Sequence, residues 1–365
     1  MHSRSYLSQI LLLFCLACSL SIVSCVNLGP TTLKSERSKY NVSVQKTNDE
    51  ELLLNLVRLK YRDTPFFMEV SSMASQFTLS SSANASASLQ NGVKGLFGLD
   101  GSLGVTEKPT VTYSPLQGDR FIQRVLSPLP LNTITLLFNS GWNIERIFRL
   151  CFQRMNNLKN APGASGPTPS RPPNFIEFIS AVKYLRLLQI EDAINISYQE
   201  ENGVPQLILN INESDKYRME AKQFALAANV QPGNTKYVLA FSADSKKANH
   251  IRVVTRSLLG IMFYISQAVE VPSEDISKGK VTQTRTSDGK IFNWDKVTGD
   301  LLKIRSVSEK PQEKPMTIFY RGSWFYIDDS DLSSKSTFSL LSQIFSLQAG
   351  RIKDNAPLLT LPIGQ

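Results

Sequence analysis

Cysteine and histidine are scarce in this 365-residue chain, with four of the first and two of the second. Cys15 and Cys18 sit inside the apolar run "ILLLFCLACSLSIV", which leaves Cys25 and Cys151. An exported chain with one cysteine beyond Cys25 carries no intramolecular disulfide framework. The histidines are His2 and His250. Multi-histidine metal sites are therefore excluded. Any Ser-His-Asp triad would depend on His250, which reads as a loop residue ahead of a strand. The chain also lacks a G-x-S-x-G elbow, a Walker loop, a G-x-G-x-x-G turn and an H-E-x-x-H helix. Long apolar runs are missing too. The stretch over residues 10–23 falls short of the about 20 residues a spanning helix needs. What is present is a basic excess: 40 Lys and Arg against 31 Asp and Glu, for a net charge of +9. That balance suits lipid headgroups or cell-wall polymers. Nucleic acid is not an expected partner of an exported chain.

The N-terminus reads as a signal. Arg4 supplies the positive n-region, and the apolar stretch runs to "SIVSC". An aliphatic residue three positions before the cut, a small one just before it and Cys25 after it resemble a bacterial lipobox. The resemblance implies cleavage of residues 1–24, a diacylglycerol on the Cys25 sulfur and an acyl group on its amine. No other cofactor or metal is expected. Several acyl chains make a stable anchor, because each buried CH₂ contributes about 0.8 kcal/mol. Val26 follows Cys25 where inner-membrane retention signals carry Asp. By resemblance to those sorting rules, the chain is expected at the outer membrane, facing the periplasm.

Residues 25–46 read as the lipidated cysteine and a polar tether. Thr47-Asn48-Asp49-Glu50 reads as a capping box opening a helix, with Leu52, Leu56 and Leu59 on one stripe beside Leu53 and Val57. Residues 47–158 then hold this helix, a long β-hairpin and a helical segment over 118–158. In the hairpin, Phe77, Leu79, Ala83, Ala85, Ala87 and Leu89 occupy odd positions, with Ser, Asn and Gln between them. After "QNG" the pattern resumes with Val93, Phe97, Leu99 and Leu103. Period two over this length is a strand signature. A three-residue loop, Gln90-Asn91-Gly92, would pair Leu89 with Val93, Ala85 with Phe97 and Ala83 with Leu99. All apolar positions would then share one face. Residues 159–173 read as a Pro/Gly/Ser-rich linker loop, and 174–365 as an α+β segment forming one module with the preceding part. The expected fold is α+β: antiparallel sheets with a long N-terminal β-hairpin and several packed amphipathic helices.

Candidate chemistry is thin. Asp328, Asp329 and Asp331 form the densest acidic group, but no calcium-loop spacing follows, and helix capping accounts for them. Ser180 and Lys183 fit Ser-x-x-Lys on a helix. The same pattern recurs at Ser43/Lys46, Ser277/Lys280 and Ser287/Lys290, so it is noise. Phe319, Tyr320, Trp324, Phe325 and Tyr326, with Arg321, could stack a sugar or base, although strand alternation must send some of them inward. Cys151 reads as a small core residue. The one-sided hairpin, marked by Phe77, Leu79, Leu89, Val93, Phe97, Leu99 and Leu103, has the alternation of a barrel wall between lipid and water. The favoured reading is a long hairpin packed over the soluble core, since alanine and glycine on the apolar face suit close packing against a helix.

Five stretches carry a resemblance: "LLLNLVRLKYRDTPFFMEVSS", "PTVTYSPLQGDRF", "TRSLLGIMFYISQAVEVP", "FYRGSWFYIDDSDLSSKSTFSLLSQIFSLQAG" and "APLLTLPIG". They resemble a family of bacterial outer-membrane lipoproteins of unknown function. The resemblance implies one continuous module and transfers no ligand or activity. The expectation is a non-enzymatic lipoprotein acting in envelope structure, assembly or transport, through envelope proteins or copies of itself. The alternatives are an oligomeric β-hairpin pore or export component, and an envelope hydrolase using carboxylates alone, with two of them 5–10 Å apart.

Overall fold

The structure is a computed structural model that describes residues 28–87, 97–212, 216, 218–242, 247–312 and 316–349, with the backbone alone over 28–37 and 71–109. Cys25, Leu89, Val93, the Gln90-Asn91-Gly92 loop and the strand expected over "APLLTLPIG" lie outside the described residues. The chain divides into two compact units, Met1–Glu51 and Leu52–Gln365. Helix α1, Leu28–Lys60, runs through the boundary. This corrects two expectations: from residue 28 the tether is helical, and Thr47 does not open a helix. The Thr47 hydroxyl instead donates to the Val44 carbonyl one turn back, at 3.0 Å. No Gly or Pro interrupts residues 31–60, so nothing local breaks the helix, and Pro30 sits in the first turn where it is tolerated.

In the second unit, α1 buries Leu52, Leu53, Leu56, Val57 and Leu59, the stripe expected from the sequence. It ends in a Schellman arrangement, with Arg62 in the left-handed region at φ 64. The Asp63 amide donates to the Arg58 carbonyl and the Arg62 amide to that of Leu59.

The core is a six-stranded sheet of β3 (Phe152–Met155), β4 (Leu158–Lys159), β5 (Ile194–Glu201), β6 (Val204–Ile211), β7 (Lys236–Ala240) and β8 (His250–Thr255). The order is β4-β3-β8-β7-β6-β5, antiparallel except for the parallel pair β7/β8. β5 and β6 turn at Asn202-Gly203, both at positive φ, the geometry a two-residue hairpin prefers. Helices α2 (Asp119–Leu126), α3 (Leu131–Asn139), α4 (Ile144–Cys151), α5 (Ile176–Ile190), α6 (Arg218–Ala227) and α7 (Leu258–Ser266) bury apolar residues in the same core. Short helices α8 (Ser273–Ser277) and α9 (Asp295–Thr298) lead to a three-stranded sheet of β9 (Arg305–Val307), β10 (Thr317–Tyr320) and β11 (Ser323–Tyr326), then to helix α10 (Leu332–Ala349). The class is α+β, as expected.

The helix expected to reach Leu158 stops at Cys151. Its period continues, but a tertiary contact removes its hydrogen bonds. Arg256 is fully buried. Its guanidinium donates to the carbonyls of Arg149 (2.9 Å), Leu150 (3.1 Å) and Phe152 (2.7 Å). It also donates to the Asn160 carbonyl and to the Ser165 hydroxyl. The buried Asn160 amide bonds the Arg149 and Phe152 carbonyls as well, at 2.8 and 2.7 Å. Carbonyls that would have continued the helix are thus collected by two side chains, and the chain turns into β3. The carbonyl end of α4 also carries the negative end of the helix dipole, which suits a cation without a carboxylate beside it. Arg256 stacks on the Tyr264 ring at 4.0 Å, and burial lowers its pKa to about 10. The 159–173 stretch is consequently no free linker: Asn160, Ala161, Ala164 and Pro169 are buried.

Two smaller corrections follow. His250 is the first residue of β8, opposite Val238. Leu332, which the sequence pattern places inward with Phe338, Leu341 and Phe345, is 70% exposed, while Phe338 and Leu341 are buried.

Candidate functional site

Strands β1 (Met68–Ala87) and β2 (Phe97–Pro115) form a ribbon that pairs with no other strand among the described residues. At about 3.3 Å per residue each strand extends for roughly 60 Å. The register differs from expectation by two residues: Ala85 lies opposite Leu99, Ala87 opposite Phe97, and Ala83 opposite Gly101. Phe77 pairs with Glu107, Leu79 with Val105, and Leu103 with Ser81. A two-residue slip keeps odd positions opposite odd ones, so the two alternations stay in phase. A bulge between Val70 and Ser72 re-aims the strand near its root.

The root is built with care for its backbone. Asn55, fully buried on α1, accepts from the Phe66 amide at 2.9 Å and donates to the Phe66 carbonyl at 2.7 Å. Its amide thus acts as a neighbouring strand would. Phe67 is buried against Phe121 and Phe345, and its carbonyl accepts from the Leu116 amide. Just above this anchor the character changes. Thr110, Val111, Thr112 and Tyr113 are consecutive and all exposed. Successive strand residues point to opposite faces, so both faces of the ribbon are open at this height. The expectation of a hairpin laid over a soluble core does not describe these residues. No signal in the sequence singled out Asn55.

The acidic group at 328–331 is used locally. Asp328 accepts from the Ser330 amide and hydroxyl, Asp329 pairs with Lys335 at 2.7 Å, and Asp331 caps α10 through the Ser334 amide and hydroxyl. Burial opposes the charge on Asp331, but its Ser334 bonds hold the carboxyl below the usual range. Among the described residues no group of His, Cys, Asp and Glu is arranged to hold a metal ion.

Arg321 is engaged within the fold. It occupies the two-residue β10–β11 turn at φ 49, reaches Asp63 at 2.9 and 3.0 Å, and lies over the Tyr61 and Tyr320 rings. The Tyr320 hydroxyl donates to Asp63, and the Tyr61 hydroxyl to Asp275 at 2.7 Å. Lys280 also donates to Asp275, and these two bonds hold the Asp275 carboxyl below its ordinary range. This network ties the end of α1 to α8 and to the small sheet. Of the aromatic cluster, Phe325 turns into the core opposite Ile318, while Phe319 and Trp324 pair on the outer face at 5.0 Å. Phe319 is 56% exposed, and Lys310 lies 5.3 Å over the Trp324 ring. This face can stack a planar or sugar ring.

Ser180 and Lys183 are both exposed on the outer side of α5, away from any cleft wall. Cys151 is a free, fully buried thiol, and burial pushes its pKa up to about 12, so it is a poor nucleophile. A cleft of about 430 Å³ beside the 159–173 stretch is lined by Asn157, Lys159, Asn174 and Glu177 among others, with one carboxylate. Its neighbour, about 240 Å³, has none. Neither supplies the paired carboxylates of a glycosidase. Among the described residues no helix is long and apolar enough to cross a membrane. No protein-family model, curated protein or solved structure matches the chain.

Proposed function

We propose that the protein is a lipid-anchored outer-membrane lipoprotein of the family it resembles, and a non-enzymatic component of envelope structure, assembly or transport. The observation that carries the reading is the ribbon: two strands of 20 and 19 residues, clamped at the root by Asn55, with Thr110, Val111, Thr112 and Tyr113 exposed just above it. A long, rooted ribbon that pairs with no other strand among the described residues is an element for protein contact, since an isolated two-stranded hairpin is at best marginal in water. The "SIVSC" signal supports the membrane address.

Two measurements test this. Radiolabelled palmitate fed to cells is expected to label the chain, and Cys25→Ser to abolish the label and release the protein from the outer-membrane fraction. Truncating the ribbon is expected to remove envelope function while the rest of the chain stays folded. Turnover of cell-wall or ester substrates by the pure protein, stopped by one Asp, Glu or Ser substitution, would falsify the non-enzymatic reading.

A further inference from the structure

We infer that, in an envelope component of the kind proposed above, the β1–β2 ribbon is completed by further copies of this same chain. β2 of one copy pairs along its outer edge with β1 of the next, and the ring closes into a homo-oligomeric β-barrel.

The backbone makes the first argument. In a two-stranded ribbon, alternate N–H and C=O groups of each strand point away from the partner strand. Over residues 72–87 and 97–109, where the ribbon pairs with no other strand among the described residues, these form two rows of donors and acceptors along its outer edges. Backbone polar groups of this kind are a template for another strand, and exposed edges are normally blunted with charge or proline. Residues 71–87 of β1 contain no Lys, Arg, Asp, Glu or Pro. This edge is uncharged over most of its length. Ser, Ala and Asn dominate there, so β-propensity does little to hold the ribbon alone.

The second argument identifies the occupant. The ribbon has two open edges facing in opposite directions, and an unrelated partner on one of them leaves the other uncovered. A second copy offers β1 to the free edge of β2, in antiparallel sense, and offers a new β2 edge in turn. The contact is heterologous and repeats, so it ends only when a ring closes, which removes every edge. The in-phase register is what such a wall requires. With odd opposite odd, an antiparallel neighbour in the same phase extends the Leu79/Val105 face, which also carries Ser81 and Glu107, and the Ser/Asn face, which carries Asp100 and Lys108, as two continuous surfaces. Each strand also exceeds the about 9–11 residues that a tilted barrel strand needs to cross a bilayer. The Asn55 clamp holds the ribbon to the core at its root, so each copy presents it in the same pose.

The test uses the full-length, lipidated protein in its own envelope, with p-benzoylphenylalanine in place of Tyr113 or Thr110. Irradiation is expected to give a ladder of dimer, trimer and larger species, and mass spectrometry to find β1 peptides of one copy joined to β2 peptides of another. Mixed heavy and light cultures identify such joins as intermolecular. Leu79→Lys with Val105→Lys is expected to weaken the ladder at least tenfold, with thermal unfolding of the body unchanged. Val111→Ser, also in the ribbon, serves as a folded control that keeps the ladder. Monomer only, or cross-links only to a different protein, overturns the inference. An acylated protein that gives only monomer removes the ring and leaves the anchor, whereas a ladder from an unacylated protein removes the anchor and leaves the ring.

Discussion

The six-stranded sheet and the β1–β2 ribbon use the same backbone pairing but are held by opposite means. In the β5–β6 hairpin, Ile194, Ile196, Leu207, Leu209 and Ile211 are buried against helices, and packing fixes the strands. In the ribbon, the described residues above the root are open on both faces, and the hold comes from Asn55, Phe67 and Leu116 at its base. The difference teaches that alternation identifies a strand without saying what will cover it. Among the described residues, the body covers its own sheet and leaves residues 110–113 of the ribbon exposed above its mount.

The largest effect is expected where the body depends on one side chain. Arg256→Met takes the side-chain donor from the buried Leu150 and Asn160 carbonyls and leaves those of Arg149 and Phe152 to Asn160 alone, and should lower stability by ~3–5 kcal/mol, read from the urea midpoint. Arg256→Lys should recover little, because one ammonium cannot replace a planar fork spanning residues 149–160. If Arg256→Met cost under ~1 kcal/mol, the clasp would not be what ends α4.

At the mount, Asn55→Leu strands the Phe66 amide and carbonyl in a buried site. It should cost ~1–3 kcal/mol and speed hydrogen exchange at Phe66, while β5–β6 amides stay protected. Equal exchange in both regions would mean that the ribbon and the core are one cooperative unit.

Lys60, near the same mount, gives a pH-dependent version. Burial lowers its pKa to about 8 from 10.5, and its polar contact is Gln267 at 3.1 Å. Between those two values the unfolded chain binds more protons, so stability rises with pH there. Below about pH 8 the folded state holds the charge at a cost. Lys60→Met should therefore stabilise the body by ~1–2 kcal/mol at pH 7, and the charge-related part of that gain should be gone above about pH 10. A gain that does not change with pH would assign the effect to packing alone.

The smallest effect is expected from the ribbon itself. Replacing residues 72–111 by a short turn should shift the stability of the body by no more than ~0.5 kcal/mol, measured by thermal unfolding of the monomer. A larger loss would show that the ribbon braces the core.

Local signals located much of this architecture. In the structure Asn202-Gly203 and Arg321-Gly322 both take positive φ in two-residue turns. The odd-even alternation of 77–105 located the ribbon and its phase, but not its register. Parity is fixed by the pleat, whereas the choice between registers two residues apart depends on the loop. The acidic cluster, too, was legible as capping, since Asp331 and Ser334 are three residues apart. The early end of α4, the burial of the 159–173 stretch and the role of Asn55 were not legible. Each rests on a partner distant in sequence.

The sequence by itself determined where strands alternate and that Cys151 is a core residue. These depend on periods and neighbours within a few positions. Tertiary structure decided that a helical pattern would stop at Cys151, because a guanidinium more than a hundred residues away takes its carbonyls. It also decided that the β5–β6 hairpin would pack one face against helices while residues 110–113 of the ribbon stay exposed. Solvent exposure is settled by what packs alongside, and a strand's own residues do not specify its neighbours.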